Sequence, residues 1–187
     1  RVAVILVALC VVLVAAVWFG GRSYLKRSVA QYEGSVAVPG PGAPIEVLFD
    51  ARGVPQVYAR TDADARFALG WLHASERLFQ MELIRRMAAG ELSEIFGAIA
   101  VEVDESQRRL GFAHKNRQDI GGLDPAARRV LEQYVAGVNA WTAQAKPLPP
   151  EFTLLGFKPR DWTVEDVALV GYYQSYFSLT LMDRGAD

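Results

Sequence analysis

Cysteine is nearly absent from this chain. Its 187 residues hold one, Cys10, so no intrachain disulfide can form, and neither a cysteine metal site nor a thiol nucleophile is credible. Histidine is almost as scarce. His73 and His114 stand far apart, and no His-x-x-x-His or Glu-x-x-His spacing exists to build a metal-hydrolase centre. Charge of either sign is not in excess: the formal net charge of -1 provides no concentrated basic face for nucleic acid. Phosphate-cradling glycine loops and a Gly-x-Ser-x-Gly elbow are also missing. Ser75 and Ser93 each precede a glutamate, but neighbouring helical side chains point apart, and a serine nucleophile needs a positioned base. None of these patterns marks a catalytic residue in this chain.

What the sequence does contain is a long apolar opening. Val2 to Phe19 is 18 consecutive apolar residues. As a helix it covers roughly 27 Å, close to the hydrocarbon thickness of a bilayer. Trp18 and Tyr24 fall where interfacial aromatics are expected. The ending VWFGG is a poor small-x-small cleavage site, and Cys10 follows Leu9, which does not suit a lipoprotein signal. An uncleaved signal anchor over residues 1–21 fits best. Arg22, Lys26 and Arg27 after the run, against Arg1 before it, would by charge bias place the body in the cytoplasm. An opening Arg in place of Met implies further residues upstream, so that bias does not settle the orientation.

Residues 22–38 are mixed and read as a stalk continuing the anchor helix, and Pro39 to Pro44 as a Pro/Gly linker. Residues 45–187 then form one domain. Ile45–Phe49 and Val54–Ala59 read as strands joined by the turn Asp50-Ala51-Arg52-Gly53, with Pro55 at an edge or at the first paired position. Thr61 to Asp64 supplies cap chemistry for a helix whose buried face is Phe67, Trp71, Ala74, Leu78 and Met81, ending at Gly90. His73 on this helix reads as structural or solvated. Arg77, Arg85 and Arg86 read either as a solvated face or as guanidinium forks gripping carboxylates and carbonyls at a subunit contact. Glu105 to Arg117 reads as a helix. Asp124-Pro125 opens another, with Val130, Leu131, Tyr134, Val138 and Trp141 on its apolar face. A loop, EFTLLGFKPRDW, precedes a final helix capped by Thr163 to Asp166.

That final helix is apolar or aromatic on nearly every face from Val167 to Phe177. Gln174, Ser175, Ser178 and Thr180 make a second membrane span a poor reading. Burial against something larger than this chain is the better one.

The order of these pieces carries a resemblance. Residues 53–97, GVPQVYARTDADARFALGWLHASERLFQMELIRRMAAGELSEIFG, resemble the signature of the penicillin acylase (penicillin amidase) family's α chain, and PPEFTLLGFKPRDWTVEDV, residues 149–167, resembles a later stretch of it. Departures are Gln56 for histidine, Trp71 for tyrosine, Glu76 for aspartate and Glu91 for arginine. The match covers about residues 45 to 170 in a single order.

The resemblance implies an α+β fold: a mostly helical α chain with a short N-terminal β-hairpin, completing a four-layer αββα N-terminal nucleophile (Ntn) hydrolase heterodimer. The chain would be the α subunit of a self-processed amidohydrolase, its nucleophile an N-terminal serine on a β subunit from the same precursor. That serine's own α-amino group would act as base. No cofactor for catalysis is implied. Tyr173, Tyr176 and Phe177 match the region that lines the acyl pocket, although all three are equally readable as core aromatics. A structural calcium ion is implied too, for which Asp183, and beyond it Asp187, are the nearest oxygen donors. The family acts after export, so residues 2–19 would anchor the protein in the cytoplasmic (inner) membrane with its body outside the cytoplasm. A β-lactam side chain, an acyl homoserine lactone or a lipid amide are all conceivable substrates. The competing reading is a non-catalytic, membrane-tethered helical module, a degenerate acylase homologue that organises other envelope membrane proteins.

Overall fold

The computed structural model describes residues 2–30, 32–145 and 147–183. Helix α1 (Val2–Ser28) continues the apolar run through the basic residues that follow it, with glycines, not a proline, at positions 20 and 21. Strands β1 (Glu46–Phe49) and β2 (Pro55–Tyr58) pair antiparallel, from Glu46 opposite Tyr58 to Phe49 opposite Pro55. Pro55 thus takes the first paired position, where its missing N–H costs least. The Asp50 carboxylate closes the turn by accepting from the Arg52 and Val54 amides at 2.8 and 2.9 Å.

Helix α2 (Asp62–Ala89) is the spine of the body. Thr61 caps it by accepting from the Asp64 amide at 3.1 Å, and Gly90 ends it in the left-handed conformation that glycine adopts without penalty (φ 72°). The helix kinks at Arg77 (φ -138°). Two residues earlier the Ser75 hydroxyl donates to the Leu72 carbonyl at 2.8 Å, a back-bond that bends helices.

A short helix α3 (Ser93–Phe96) and a 3-10 turn lead to α4 (Val101–Leu110) and α5 (Phe112–Asp119). The single helix expected over 105–117 is two, broken at Gly111 in the left-handed conformation (φ 77°) and starting four residues earlier. Helix α6 (Pro125–Gln144) begins as read, with the Asp124 carboxylate accepting from the Ala126 and Ala127 amides at 2.8 and 3.1 Å. Val130, assigned to its buried face, is 37% exposed, because α6 meets α2 further along, around Val138. The expected loop 151–162 contains helix α7 (Pro150–Leu154), with Pro150 at its first turn. Helix α8 (Val164–Asp183) closes the chain.

The core lies between α2 and α6. Ala74, Leu78 and Val138 are buried there with Phe152 and Trp162 from the segment that leads to α8. The two helices touch backbone to backbone. A β-carbon on Gly70 would stand 2.0 Å from the Tyr134 carbonyl oxygen, and one on Gly137 2.0 Å from that of Phe67. Only glycine allows so close a crossing.

Candidate functional site

The candidate residues on α8 depend on how that helix is held. At its start Thr163 and Asp166 cap reciprocally. The Asp166 amide donates to the Thr163 hydroxyl at 3.2 Å, and the Thr163 amide to the Asp166 carboxylate at 2.9 Å. Asp166 also receives Arg85 at 3.4 Å and Arg160 at 3.1 Å. Arg85 is wholly buried, ion-paired with Glu82 one turn before it on α2, and donates to the Asp161 and Arg160 carbonyls. Its guanidinium also lies over the Trp162 ring at 4.9 Å. Arg86 shares Glu82 at 2.8 Å and reaches Glu94 at 2.6 Å. The Arg pair is therefore a buried lattice, not a solvated face. Its carboxylates and carbonyls lie within this chain rather than across a subunit contact. Burial lowers the pKa of Arg85. For Arg86, hydrogen bonds to Glu94 and Glu82 outweigh burial and raise it.

The segment Gly90 to Glu94 is the counterpart of this lattice. Asp104 on α4 accepts from the Leu92 and Ser93 amides at 2.8 and 2.7 Å, and Arg108 donates to the Gly90 carbonyl at 2.9 Å. Burial works against the Asp104 carboxylate, but the Ser93 and Leu92 hydrogen bonds prevail and hold its pKa below the ordinary value. Both serines considered above are engaged within the framework. Ser75 is committed to the Leu72 carbonyl, and the Ser93 amide is bound by Asp104. His73 meets the Tyr134 hydroxyl at 3.0 Å, and loss of hydration there lowers its pKa.

Tyr173, Tyr176 and Phe177 come together on the second half of α8. The Tyr173 hydroxyl donates to the Met87 sulfur at 2.9 Å, and its ring stacks on Phe177 with centroids 6.2 Å apart. Phe112 of α5 packs on both tyrosines, at 6.5 Å from Tyr173 and 5.1 Å from Tyr176. Tyr173 is half-buried, whereas Tyr176 is 44% and Phe177 53% exposed, and Leu179 continues the open face. Nothing in the local sequence pattern of Phe112 connects it to α8. The role of Glu82 is legible in the sequence, since it precedes Arg85 and Arg86 by three and four positions, the spacing of helical ion pairs.

Among the described residues no group of three or more His, Cys, Asp or Glu stands together as metal ligands. Asp183 closes α8, but its side chain lies outside the described residues, as does all of Asp187.

This architecture has counterparts. The sequence profile of the penicillin amidase family matches residues 44–184. Penicillin acylase 2 proenzyme of Pseudomonas sp. (strain SE83) is 45% identical over 141 residues, which span 75% of this chain and 18% of that protein. Penicillin G acylase of Escherichia coli is 33% identical over 148 residues, 76% of this chain and 17% of that protein. An acyl-homoserine lactone acylase of Pseudomonas aeruginosa is 33% identical over 144 residues, again 76% and 17%. The chain thus spans less than a fifth of the length of these relatives. A solved structure of thermostable penicillin G acylase from Alcaligenes faecalis superposes with a TM-score of 0.61 at 28% identity, covering 68% of this chain and 69% of that one. With the profile matched over residues 44–184, three quarters of its length, the chain is a member of the penicillin amidase family.

Proposed function

We propose that this chain is the α subunit of a self-processed, membrane-anchored amidohydrolase that cleaves acyl amide carbon–nitrogen bonds. The collinear family match over residues 44–184 carries the reading. The nucleophile belongs to a β subunit cut from the same precursor, as the N-terminal serine of that chain. Its hydroxyl attacks the amide carbonyl carbon, and its α-amino group takes the proton and delivers it to the departing amine. Water then releases the acid from the acyl-enzyme. The present chain supplies framework and one wall. Exposed aromatic and aliphatic side chains on the second half of α8 support a partner seated there, because covering apolar surface that faces water is favourable.

In this reading Tyr173, Tyr176 and Phe177 form part of the acyl pocket, and substrate enters against the open Phe177 edge. Asp183 gives one carboxylate to a calcium ion whose other ligands come from the partner; loss of tightly bound calcium on Asp183→Asn, read by metal analysis, tests that assignment. Helix α1 is long and apolar enough to cross a membrane, and it holds the body on the outer face of the cytoplasmic membrane. The relatives' names include both penicillin and acyl-homoserine lactone acylases. The substrate class is accordingly an acyl amide whose chain is set by both subunits together.

N-terminal sequencing of the polypeptide that copurifies with this chain, with hydrolysis assays on acyl amides of graded length, tests the proposal. A partner beginning with serine and chain-length-dependent hydrolysis are expected. Phe177→Ala should raise KM for the preferred acyl amide on the order of ten-fold with little change in kcat. A partner with an unprocessed junction would point instead to a non-catalytic envelope module. A stable, monodisperse and hydrolytically active 187-residue chain with no companion would refute the subunit reading outright.

A further inference from the structure

Helix α7 is built with one apolar side chain turned inward and another turned out. Phe152 is buried against Phe79 and Phe157, with ring centroids 5.6 and 5.0 Å away, so the core accounts for it. Leu154, two residues on, is 82% exposed, and Leu155 beside it is partly open. Folding of this chain gains little from Leu154. Its position suggests what does. The neighbouring Thr153 hydroxyl shares a 2.7 Å hydrogen bond with the hydroxyl of Tyr24, on the last turns of α1. Tyr24 lies five residues past Phe19, the end of the apolar run. At the helical rise that is roughly 7 Å beyond the hydrocarbon boundary, within the headgroup layer of a bilayer that holds the run. The bond therefore fixes the α7 turn at headgroup depth.

Charge on the neighbouring segments is mostly basic, although Glu151 on α7 itself and Asp161 beyond it are acidic. Arg22, Lys26 and Arg27 on α1 and Lys158 just after the turn are exposed, and none forms an ion pair among the described residues. Basic residues flanking an apolar tip suit anionic phospholipid headgroups over an acyl boundary.

We propose that the Leu154-Leu155 tip of α7 is a second membrane contact, which seats the body on an anionic phospholipid surface beside the anchor and limits its swing. The inference rests on the reading that α1 is embedded in a bilayer. It also gives the stalk a physical role: the body would not swing freely on residues 29–44 but would meet the membrane at two points.

The test uses the full protein with its partner, in a Cys10→Ala background. An environment-sensitive fluorophore is placed on Leu154→Cys, on Leu155→Cys as a second tip position, and on Ile99→Cys, which is 85% exposed elsewhere on the body. Samples are reconstituted in phosphatidylglycerol-phosphatidylethanolamine vesicles with and without shallow spin-labelled lipid. The expected result is a blue-shifted emission at the tip, quenched several-fold more than at position 99 and reversed on replacing the anionic lipid. If the protein floats with vesicles but the tip labels behave like the label at 99, the second contact is wrong and the anchor stands. A tip label that is blue-shifted yet unquenched is covered by protein, which also overturns the inference. Failure to float with vesicles removes both the anchor and the contact.

Discussion

Arg85 shows what one side chain can hold in place. Its wholly buried guanidinium joins α2 to the segment 160–166 through Glu82, Asp166 and two part-buried backbone carbonyls. A buried charge depends on the charges paired with it, and removing one partner leaves the others uncompensated. Arg85→Met should therefore destabilise the protein by about 3–5 kcal/mol. Denaturant unfolding would register it, and Arg85→Lys should recover little, since an ammonium cannot span four acceptors in a plane. Asp104 makes a second prediction. Its folded-state pKa is depressed below the ordinary carboxylate value, so its contribution is complete above that ordinary value and fades as pH falls through the lower, folded one. Asp104→Asn should lower stability at neutral pH and flatten the acid limb of the stability-pH profile below about pH 4. An unchanged acid limb would show that the Leu92 and Ser93 amides do not depend on that charge.

Elements meet here through their smallest residues. Gly70 and Gly137 let α2 and α6 approach until each backbone touches the other. Neither contact can yield by rotating a side chain, because the obstructing atoms are carbonyl oxygens. Gly137→Ala should thus cost on the order of 3 kcal/mol despite the better helix propensity of alanine, with a thermal melt as the readout. A neutral or stabilising result would mean that the helices are farther apart than described. The cap of α8 is a milder case. Thr163→Ala removes one acceptor from the Asp166 amide and should cost about 1 kcal/mol. The caps of α2, α6 and α8 were all legible as residue types in order, since capping is decided within four residues. The break at Gly111 and the short α7 were not, because each depends on where the chain must turn to reach its next partner.

At the scale of the whole molecule, the body is covered unevenly. Leu169 and Val164 near the start of α8 are buried, whereas Tyr172, Tyr176, Phe177 and Leu179 are open. Helix α8 therefore has one half committed to this chain and one half left over. Expressed without the proposed partner, the chain should self-associate even when residues 2–21 are deleted. Phe177→Ser with Leu179→Ser should reduce that association, as measured by light scattering during size-exclusion chromatography. A monodisperse partner-free chain with α8 unaltered would argue that the open half needs no cover.

Short-range chemistry was readable from the residues alone. The hairpin between Phe49 and Pro55, the capping groups Thr61, Asp124 and Thr163, the apolar run and the excess grease of the last helix all follow from neighbours a few positions apart, as does the ordered motif series that marks the family. The environment of the charged and small residues was not readable in this way. Whether Arg85 faces water or Asp166, 81 positions away, depends on how α2 and α8 are brought together. Whether Gly137 is a weak helical residue or a contact point likewise depends on α2 lying across it. Periodicity reports which face of a helix prefers burial, but the partner that completes a charge or fills a gap is set by long-range packing.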